Sequence, residues 1–459
     1  MSWSAIDTHA HIYWEDYVEP VEDILARADE QDVKTILVPG TNLETSAKVV
    51  ELVNRFPGKL FGAAGIHPSD VKDTDEETYL SEIKKIALKP GMVAIGEIGL
   101  DYYWDKSFIE KQKRFFHEQI KLAIQLNKPI IIHNRNSDDD LIDILNEYKG
   151  SGLTGVFHCF SGDRSFLEKA LATGFYISLA GPLTFKNSKL KDLIPYLPLS
   201  RLLTETDSPF LSPHPMRGKR NEPAYVTYVV KYLAELYHVT EDDINRNVTF
   251  NTWKLFGIGE KPKPVTTYEI GQNLYVNLTN RCSADCVFCD RKENASIQGY
   301  NLKIDKEPSA EDILSQIPDP KKYHDIVFCG YGEPTIRLDV LKTVAAELKS
   351  KGASIRMNTN GHGNIINKRN ILPELQGLVD KISISLNSLE EEDYNSVMRL
   401  PKGKGFYQGM IDFARDAKSF IPDVTMSVVA PIDADVSAYR NFAEKEVGVH
   451  FRHRPLDFL

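Results

Sequence analysis

Cys282, Cys286 and Cys289 occupy the run Asn280-Arg-Cys-Ser-Ala-Asp-Cys-Val-Phe-Cys-Asp290. Three thiolates at this spacing can hold three irons of a [4Fe–4S] cluster and leave the fourth open. An iron without a protein ligand can bind and reduce a cofactor, whereas a structural zinc site takes four protein ligands and a ferredoxin-type cluster takes four cysteines. Cys159 and Cys329 stand alone in the sequence, so no fourth ligand is evident. A second set of metal-binding types lies in the first half. Asp7-Thr-His-Ala-His11 closes an apolar run, and in an extended segment His9 and His11 share one face. Glu97 in Val93-Ala-Ile-Gly-Glu-Ile-Gly-Leu-Asp101, His133 in Pro129-Ile-Ile-Ile-His133, His158 in Gly155-Val-Phe-His158 and Asp207 in Leu202-Leu-Thr-Glu-Thr-Asp207 follow other apolar runs. Mixed imidazole and carboxylate donors suit Zn, Mn or Mg, and a bridging carboxylate would hold two such ions ~3.5–4 Å apart.

The elements that must position these donors are strands. Each donor follows apolar residues at the end of a run, which is where βα-barrels place their chemistry. Two ions there would lower the pKa of a shared water, and Asp207, at once ligand and base, would take its proton; Glu97 is the other candidate catalytic carboxylate. In the second half, Asn273–Thr279, Asp325–Cys329, Ser354–Asn360, Lys381–Asn387, Val424–Ala430 and Val449–Arg452 read as strands between amphipathic helices, a six-step βα series.

Cys-x3-Cys-x-aromatic-Cys, with Phe288 before its last cysteine, resembles the signature of the radical S-adenosylmethionine enzymes. Gly330-Tyr-Gly-Glu-Pro334, after the strand ending at Cys329, is similar to that family's Gly-Gly-Glu-Pro loop, with Tyr331 in place of one glycine. The resemblance implies a partial (β/α)6 barrel, a [4Fe–4S] cluster and S-adenosylmethionine contacted by Phe288, Gly330, Gly332, Glu333 and Pro334. Gly332 would let backbone come close, and Glu333 or nearby carbonyls would accept from the methionine ammonium. The implied chemistry is reductive cleavage of S-adenosylmethionine to a 5′-deoxyadenosyl radical acting on an unknown substrate, with flavodoxin or ferredoxin as electron donor.

The metal candidates, together with Gly65-Ile-His-Pro68, His158-Cys-Phe-Ser-Gly162, Thr204-Glu-Thr-Asp-Ser-Pro209 and Arg217-Gly-Lys-Arg-Asn-Glu-Pro223, resemble the TatD family of metal-dependent deoxyribonucleases within the amidohydrolase-like superfamily. This implies an α/β fold with an N-terminal (β/α)8 TIM barrel. His9, His11, Glu97 and Asp207 would hold one ion, and Glu97, His133 and His158 the other. The implied activity is phosphodiester hydrolysis in DNA, often as a 3′-to-5′ exonuclease, with single-stranded RNA as a further substrate. Arg135, Arg217, Lys219 and Arg220 are candidates for flanking phosphates. His67 and Asp101 sit where they could touch substrate or orient a ligand, and Tyr102, Tyr103 and Trp104 could stack on a base. The whole chain resembles the TatD-linked radical S-adenosylmethionine proteins. Two other readings are an amide, ester or lactone hydrolase using the same ions, and a cluster domain serving as a redox-sensing regulator.

At 459 residues with 42% hydrophobic content the chain exceeds one hydrophobic core. We expect a hydrolase barrel over 1–257, a Gly- and Pro-punctuated linker over 258–272 and a radical barrel over 273–459. The first strand begins almost at Met1, which leaves no room for a signal peptide, and no apolar run approaches the ~18 residues of a membrane helix. A cytoplasmic protein with no membrane partner is expected, and three cysteines committed to iron imply a reducing setting. A net charge of −10 argues against electrostatic coating of duplex DNA and favours short or single-stranded ends. Cys329 is expected as a buried strand residue, and Cys159 is expected to alternate away from the metal site.

Overall fold

The apolar runs of the first half become one parallel sheet in the computed structural model, which describes residues 3–259, 261–292, 295–401 and 403–455. Its strands are β1 (Ala5–Asp7), β2 (Val33–Pro39), β3 (Leu60–Ala64), β4 (Met92–Asp101), β5 (Ile130–Arg135), β6 (Gly155–Phe157), β7 (Tyr176–Leu179) and β8 (Leu202–Thr204), paired in sequence order. The ends of this series meet. Thr8 N–H donates to Thr204 O at 3.0 Å, Thr204 Oγ1 to Ile6 O at 3.0 Å, and Thr206 N–H and Oγ1 to the buried Asp7 carboxylate at 2.9 and 2.6 Å. The result is a (β/α)8 barrel.

Strands covered on both faces read as unbroken apolar runs rather than alternations. Ile36-Leu37-Val38 and Ile130-Ile131-Ile132 are accordingly buried throughout. Gly99 in β4 has φ +144°, and a Cβ there would stand 2.0 Å from His133 O, so only glycine lets β4 run this close to β5. That contact brings the donor of β4 beside the donor of β5.

The chain divides into two units, Met1–Lys261 and Pro262–Leu459. In the second, β9 (Thr267–Ile270) pairs antiparallel with β10 (Asn273–Val276), β11 (Ser296–Ile297) and β12 (Tyr300–Asn301) form a small hairpin, and five further strands follow. These are β13 (Ile326–Phe328), β14 (Ile355–Thr359), β15 (Lys381–Ser385), β16 (Asp423–Ala430) and β17 (His450–Pro455). The order β17-β16-β15-β14-β13-β10-β9 gives six parallel strands, a partial (β/α)6 barrel, with one antiparallel strand added at its edge. The segment read as a linker over 258–272 therefore holds β9. Gly271, at φ +57°, turns the chain back so that Tyr268 is buried against the sheet, and this short hairpin outweighs the Gly and Pro punctuation before it.

Alternation in the second sheet is clean. Leu274, Val276, Ile326, Phe328, Ile355, Met357, Ile382, Ile384, Val424 and Met426 all join the core under the helices. Their sequence neighbours consequently face the concave side.

Candidate functional site

Glu97 is the hub of the first barrel's open end, and its two oxygens face different groups of nitrogen. Glu97 Oε2 lies 3.3 Å from His9 Nε2 and 3.5 Å from His11 Nε2. Asp207 Oδ1 lies 3.8 and 3.6 Å from the same atoms, which are 3.1 Å from each other. Glu97 Oε1 lies 3.0 Å from His133 Nδ1, 2.9 Å from His158 Nε2 and 3.4 Å from His67 Nε2. Donors ~2.1 Å from one ion at tetrahedral angles stand about 3.4 Å apart, so this donor set fits two divalent ions bridged by one carboxylate. His9, His11, Glu97 and His158 are buried, whereas Asp207 and His133 keep 14% and 18% of their side chains open.

The hydrogen bonds behind the cluster fix which nitrogen is bare. Tyr13 Oη has one proton and donates it to Pro39 O at 2.9 Å, so it must accept from His11 Nδ1–H at 3.0 Å, leaving Nε2 as the lone pair toward the cluster. His133 Nε2–H donates to Asp101 Oδ2 at 3.0 Å, which leaves Nδ1 bare. Glu205 Oε1 accepts Cys159 N–H at 2.6 Å and stands 3.3 Å from His158 Nδ1, a charge contact without the alignment of a good hydrogen bond. His67 is opposite in sense. Its Nδ1 accepts Ser69 N–H at 3.1 Å, so the neutral ring carries its proton on Nε2, facing Glu97.

Helix Ile109–Leu126 sets two of these side chains through the backbone. Its buried Gln112 bridges the N–H and C=O of Asp101 at 2.9 and 3.0 Å, and Gln119 does the same for Ile66, beside His67, at 2.7 and 3.2 Å. Asp207 takes φ +55°, a conformation a non-glycine residue rarely adopts, held by its N–H on His9 O at 2.9 Å.

Charge is strongly redistributed here. Burial alone would raise Glu97, but His158, His67 and His133 outweigh it and hold the carboxyl well below the usual range. Asp207 is likewise held low, by His11, His158 and His9 acting against burial. Burial pulls His9 down and His158 reinforces it, while Glu97 and Glu205 lift His158 well above an ordinary imidazole against its burial. A cation bound between these carboxylates would take the place of the proton they hold on His158.

The substrate candidates separate. Arg135 is exposed, with its guanidinium 3.8 Å from the Tyr103 ring and 5.3 Å from that of Trp104, and both rings are largely open to solvent. Arg217, also exposed, lies 3.8 Å over Phe185, and Lys219 is exposed. Arg220 is differently placed: it donates to both Glu19 oxygens and to Asp16 O, so its fork is already occupied and is not free for a phosphate. Asp101 lies behind His133, only 4% open, which suits it to orienting that ring rather than touching substrate. Tyr102 packs against the barrel core and its hydroxyl donates to Asp140 at 2.8 Å. Cys159 does not alternate away. Strand β6 ends at Phe157, so the period of two no longer applies, and the thiol is raised by burial and by Asp207, Glu205 and Glu97. Tyr13, Glu205, Gln112 and Gln119 were not singled out as site residues in the sequence, nor was the wall formed by Trp14, 5.8 Å from the His11 ring and 5.4 Å from that of Phe210.

In the second unit, Cys282, Cys286 and Cys289 are free and half-buried. Burial raises the Cys282 and Cys286 thiols, the latter to about 12, with their sister cysteines adding to it. Three such thiols near one another on one loop fit a cluster that binds them as thiolates. Phe288 beside them is 43% exposed. A Cβ on Gly332 would meet Thr279 O at 2.1 Å and Arg281 O at 2.7 Å, and one on Gly330 would meet Asn277 Oδ1 at 2.1 Å, so both positions require glycine. Glu333, next to the buried Pro334, is engaged within the protein, because its carboxylate accepts from Thr335 N–H and Oγ1, Thr359 Oγ1 and Asn360 N–H at 2.7 to 3.1 Å. A cofactor ammonium would then rely mainly on the loop's carbonyls. No helix among the described residues is long and apolar enough to cross a membrane.

The family described as TatD related DNase matches residues 6–257, and the Radical SAM superfamily matches residues 276–436. The chain is 43% identical over 253 residues to an uncharacterized metal-dependent hydrolase, YabD, of Bacillus subtilis, covering 55% of this chain and 98% of that protein. It is 33% identical over 243 residues to the 3′-5′ ssDNA/RNA exonuclease TatD of Erwinia tasmaniensis, covering 52% and 93%. The crystal structure of YjjV, a TatD homolog from Escherichia coli, superposes with a TM-score of 0.53 at 32% identity over 56% of this chain and 98% of that one.

Proposed function

The chain belongs to the TatD related DNase family and carries a Radical SAM domain, and from that premise we propose a bifunctional enzyme whose first unit hydrolyses phosphodiester bonds at the 3′ ends of single-stranded DNA or RNA. The observation that carries this reading is Glu97, whose two oxygens face two separate nitrogen groups at 2.9 to 3.5 Å. His9, His11, Glu97 and Asp207 would hold one ion, and Glu97, His133 and His158 the other. Bound there, two divalent ions (Mg, Mn or Zn) supply the charge that polarises a phosphoryl oxygen and acidifies the attacking water.

The chain's own residues do the rest. Asp207 takes the water's proton: its Oδ1 faces His9 and His11, which leaves Oδ2 as acceptor, and it is more open than the other donors of its group. His67, whose Nε2–H faces Glu97 Oε1, orients that bridging carboxylate. Arg135 and Arg217 hold flanking phosphates, while Tyr103, Trp104 and the Trp14–Phe210 wall offer faces for bases. The name of the Erwinia tasmaniensis relative supports the polarity and the single-stranded substrates.

The test is release of mononucleotides from end-labelled single-stranded DNA and RNA by metal-loaded protein, beside Asp207→Asn. Release that the variant loses is expected. No release with both ions demonstrably bound would overturn the nuclease reading in favour of an amide, ester or lactone substrate.

For the second unit we propose a [4Fe–4S] cluster on Cys282, Cys286 and Cys289, with S-adenosylmethionine at Gly330–Pro334. The pair supplies reductive cleavage of the cofactor to begin hydrogen abstraction, with flavodoxin or ferredoxin as electron donor in the cytoplasm. Gly330 and Gly332 let the loop pack closely on Asn277, Thr279 and Arg281, just ahead of Cys282, and Glu333 ties it to Thr359 and Asn360. Anaerobically reconstituted protein should make 5′-deoxyadenosine with a reductant. Failure to do so even with cell extract as substrate source would defeat this assignment and favour a redox-sensing module.

A further inference from the structure

The concave face of the second sheet carries more positive charge than its carboxylates neutralise. Alternation sets Arg356 on β14 and Arg452 and Arg454 on β17 opposite to the core-facing Ile355, Met357 and Phe451. Arg454 reaches across the lumen: its Nη2 lies 3.4 Å from Ser385 Oγ on β15, past the intervening strand β16. Its guanidinium also feels Cys329, Arg452, Arg356 and Tyr275, residues of four other positions around the sheet, and burial together with the two arginines pulls its pKa down.

Among the described residues no carboxylate pairs with Arg454 or Arg452. Asp325, which approaches Arg356 at 3.8 Å, is taken by Lys381 at 2.7 Å. The Nε atoms of Arg454 and Arg356 are closed off from solvent with no hydrogen-bond partner. A guanidinium buried without a counter-charge is costly, and a planar fork with free donors is suited to a carboxylate or phosphate. The polar lining agrees, with Tyr275, Asn358, Ser383 and Ser385 at the neighbouring concave positions.

This charge runs from beside the cofactor loop down into the lumen. The groups that Arg454 feels begin with Cys329, one residue before the Gly330–Pro334 loop, and extend down to Tyr275 and Arg356, which are level with Val327 within the strands. Arg454 thus points down into the lumen from the rim. We propose that this lumen binds an anionic group, a carboxylate or phosphate, of the substrate on which the second unit acts, with Arg454 as the main contact and the exposed Arg452, two residues lower on the same strand, as a second positive charge. This rests on the reading of the unit as a radical S-adenosylmethionine barrel. An enzyme acting on such a substrate would have its counter-charge supplied on binding, which explains why the lumen tolerates unpaired arginines.

The test uses anaerobic crystals of the full chain, cluster-reconstituted and loaded with S-adenosylmethionine, soaked in bromide and read by anomalous scattering. A bromide at the Arg454 guanidinium is expected, lost in Arg454→Gln while iron content and S-adenosylmethionine affinity stay unchanged. The cofactor's own carboxylate on Arg454, with cofactor affinity lowered in the variant, would overturn the proposal, and so would a lumen with no bromide at that guanidinium. The wild-type map decides even if the variant does not fold. Absence of iron or of cofactor binding in the same wild-type sample would instead defeat the underlying radical reading.

Discussion

Replacing Asp101 by Asn tests whether the metal centre depends on which nitrogen of His133 carries the proton. Asp101 Oδ2 accepts His133 Nε2–H at 3.0 Å, while Oδ1 accepts the N–H groups of Tyr103 at 2.9 Å and Trp104 at 3.4 Å. An asparagine offers one acceptor where two are used. If its oxygen faces Tyr103, its amide points at His133 Nε2, favours the other tautomer and sends a proton into the cluster. If the oxygen faces His133, the amide meets two backbone N–H groups and displaces the loop carrying the Arg135 stacking partners. The backbone of Asp101 stays clamped by Gln112, so the side chain cannot move away to relieve either conflict. Loss of such an orienting contact weakens metal binding about 10–100-fold, or ~1.4–2.7 kcal/mol. We expect chelator competition to show the larger loss at the ion held by Glu97, His133 and His158, with kcat falling when the tautomer is wrong and KM rising when the loop moves. Two unchanged metal affinities together with unchanged kcat and KM would refute the tautomer argument.

Tyr13→Phe removes the acceptor for His11 Nδ1–H and should weaken the ion held by His9, His11, Glu97 and Asp207 about tenfold, measured by the same competition; equal weakening of both ions would argue against it. Arg135→Ala should raise KM for single-stranded oligonucleotides with little change in kcat, since the guanidinium stacks on Tyr103 and Trp104 away from the reacting groups. Gly332→Ala places a methyl 2.1 Å from Thr279 O and 2.7 Å from Arg281 O, displacing the backbone that leads into Cys282, so iron content and S-adenosylmethionine binding by calorimetry should fall together; either one unchanged would argue against a shared loop. Glu19, held by Arg220 first and then Arg27, has a carboxyl lowered to about 2. A depressed carboxylate stabilises above its unfolded value near 4.5 and loses that contribution as pH falls toward 2. Discounted for its place near the surface, that lowering is worth ~1 kcal/mol. Denaturant titrations of wild type and Glu19→Gln should differ by that amount near neutrality and converge in acid; a difference independent of pH would remove the ion pair as its cause.

The donors were legible in the sequence because each follows a run of apolar strand residues, and the strand is fixed by those residues. His9, His11, Glu97, His133, His158 and Asp207 therefore needed only the barrel to bring them together. The two halves were legible for the same reason, and β9 was not, since a four-residue edge strand with one buried tyrosine, Tyr268, differs little from an extended linker. Arg220 failed for another reason. A loop arginine in the sequence does not show that a glutamate some 200 positions away, Glu19, has already occupied it.

The deeper limit is the proton. Five imidazoles gather around Glu97 and Asp207, and residue type alone makes all of them ligands. The hydrogen bond on the far nitrogen divides them. Tyr13 and Asp101 each accept a proton and so turn a lone pair inward on His11 and His133, while Ser69 N–H donates one and so turns a proton inward on His67. Tyr13 itself acts as an acceptor only because Pro39 O takes its hydrogen, a contact between β2 and the turn after β1 that no local pattern encodes. His67 lies close enough to Glu97 and His133 to be counted among metal-binding residues, and the direction of that single backbone hydrogen bond instead turns its N–H toward Glu97.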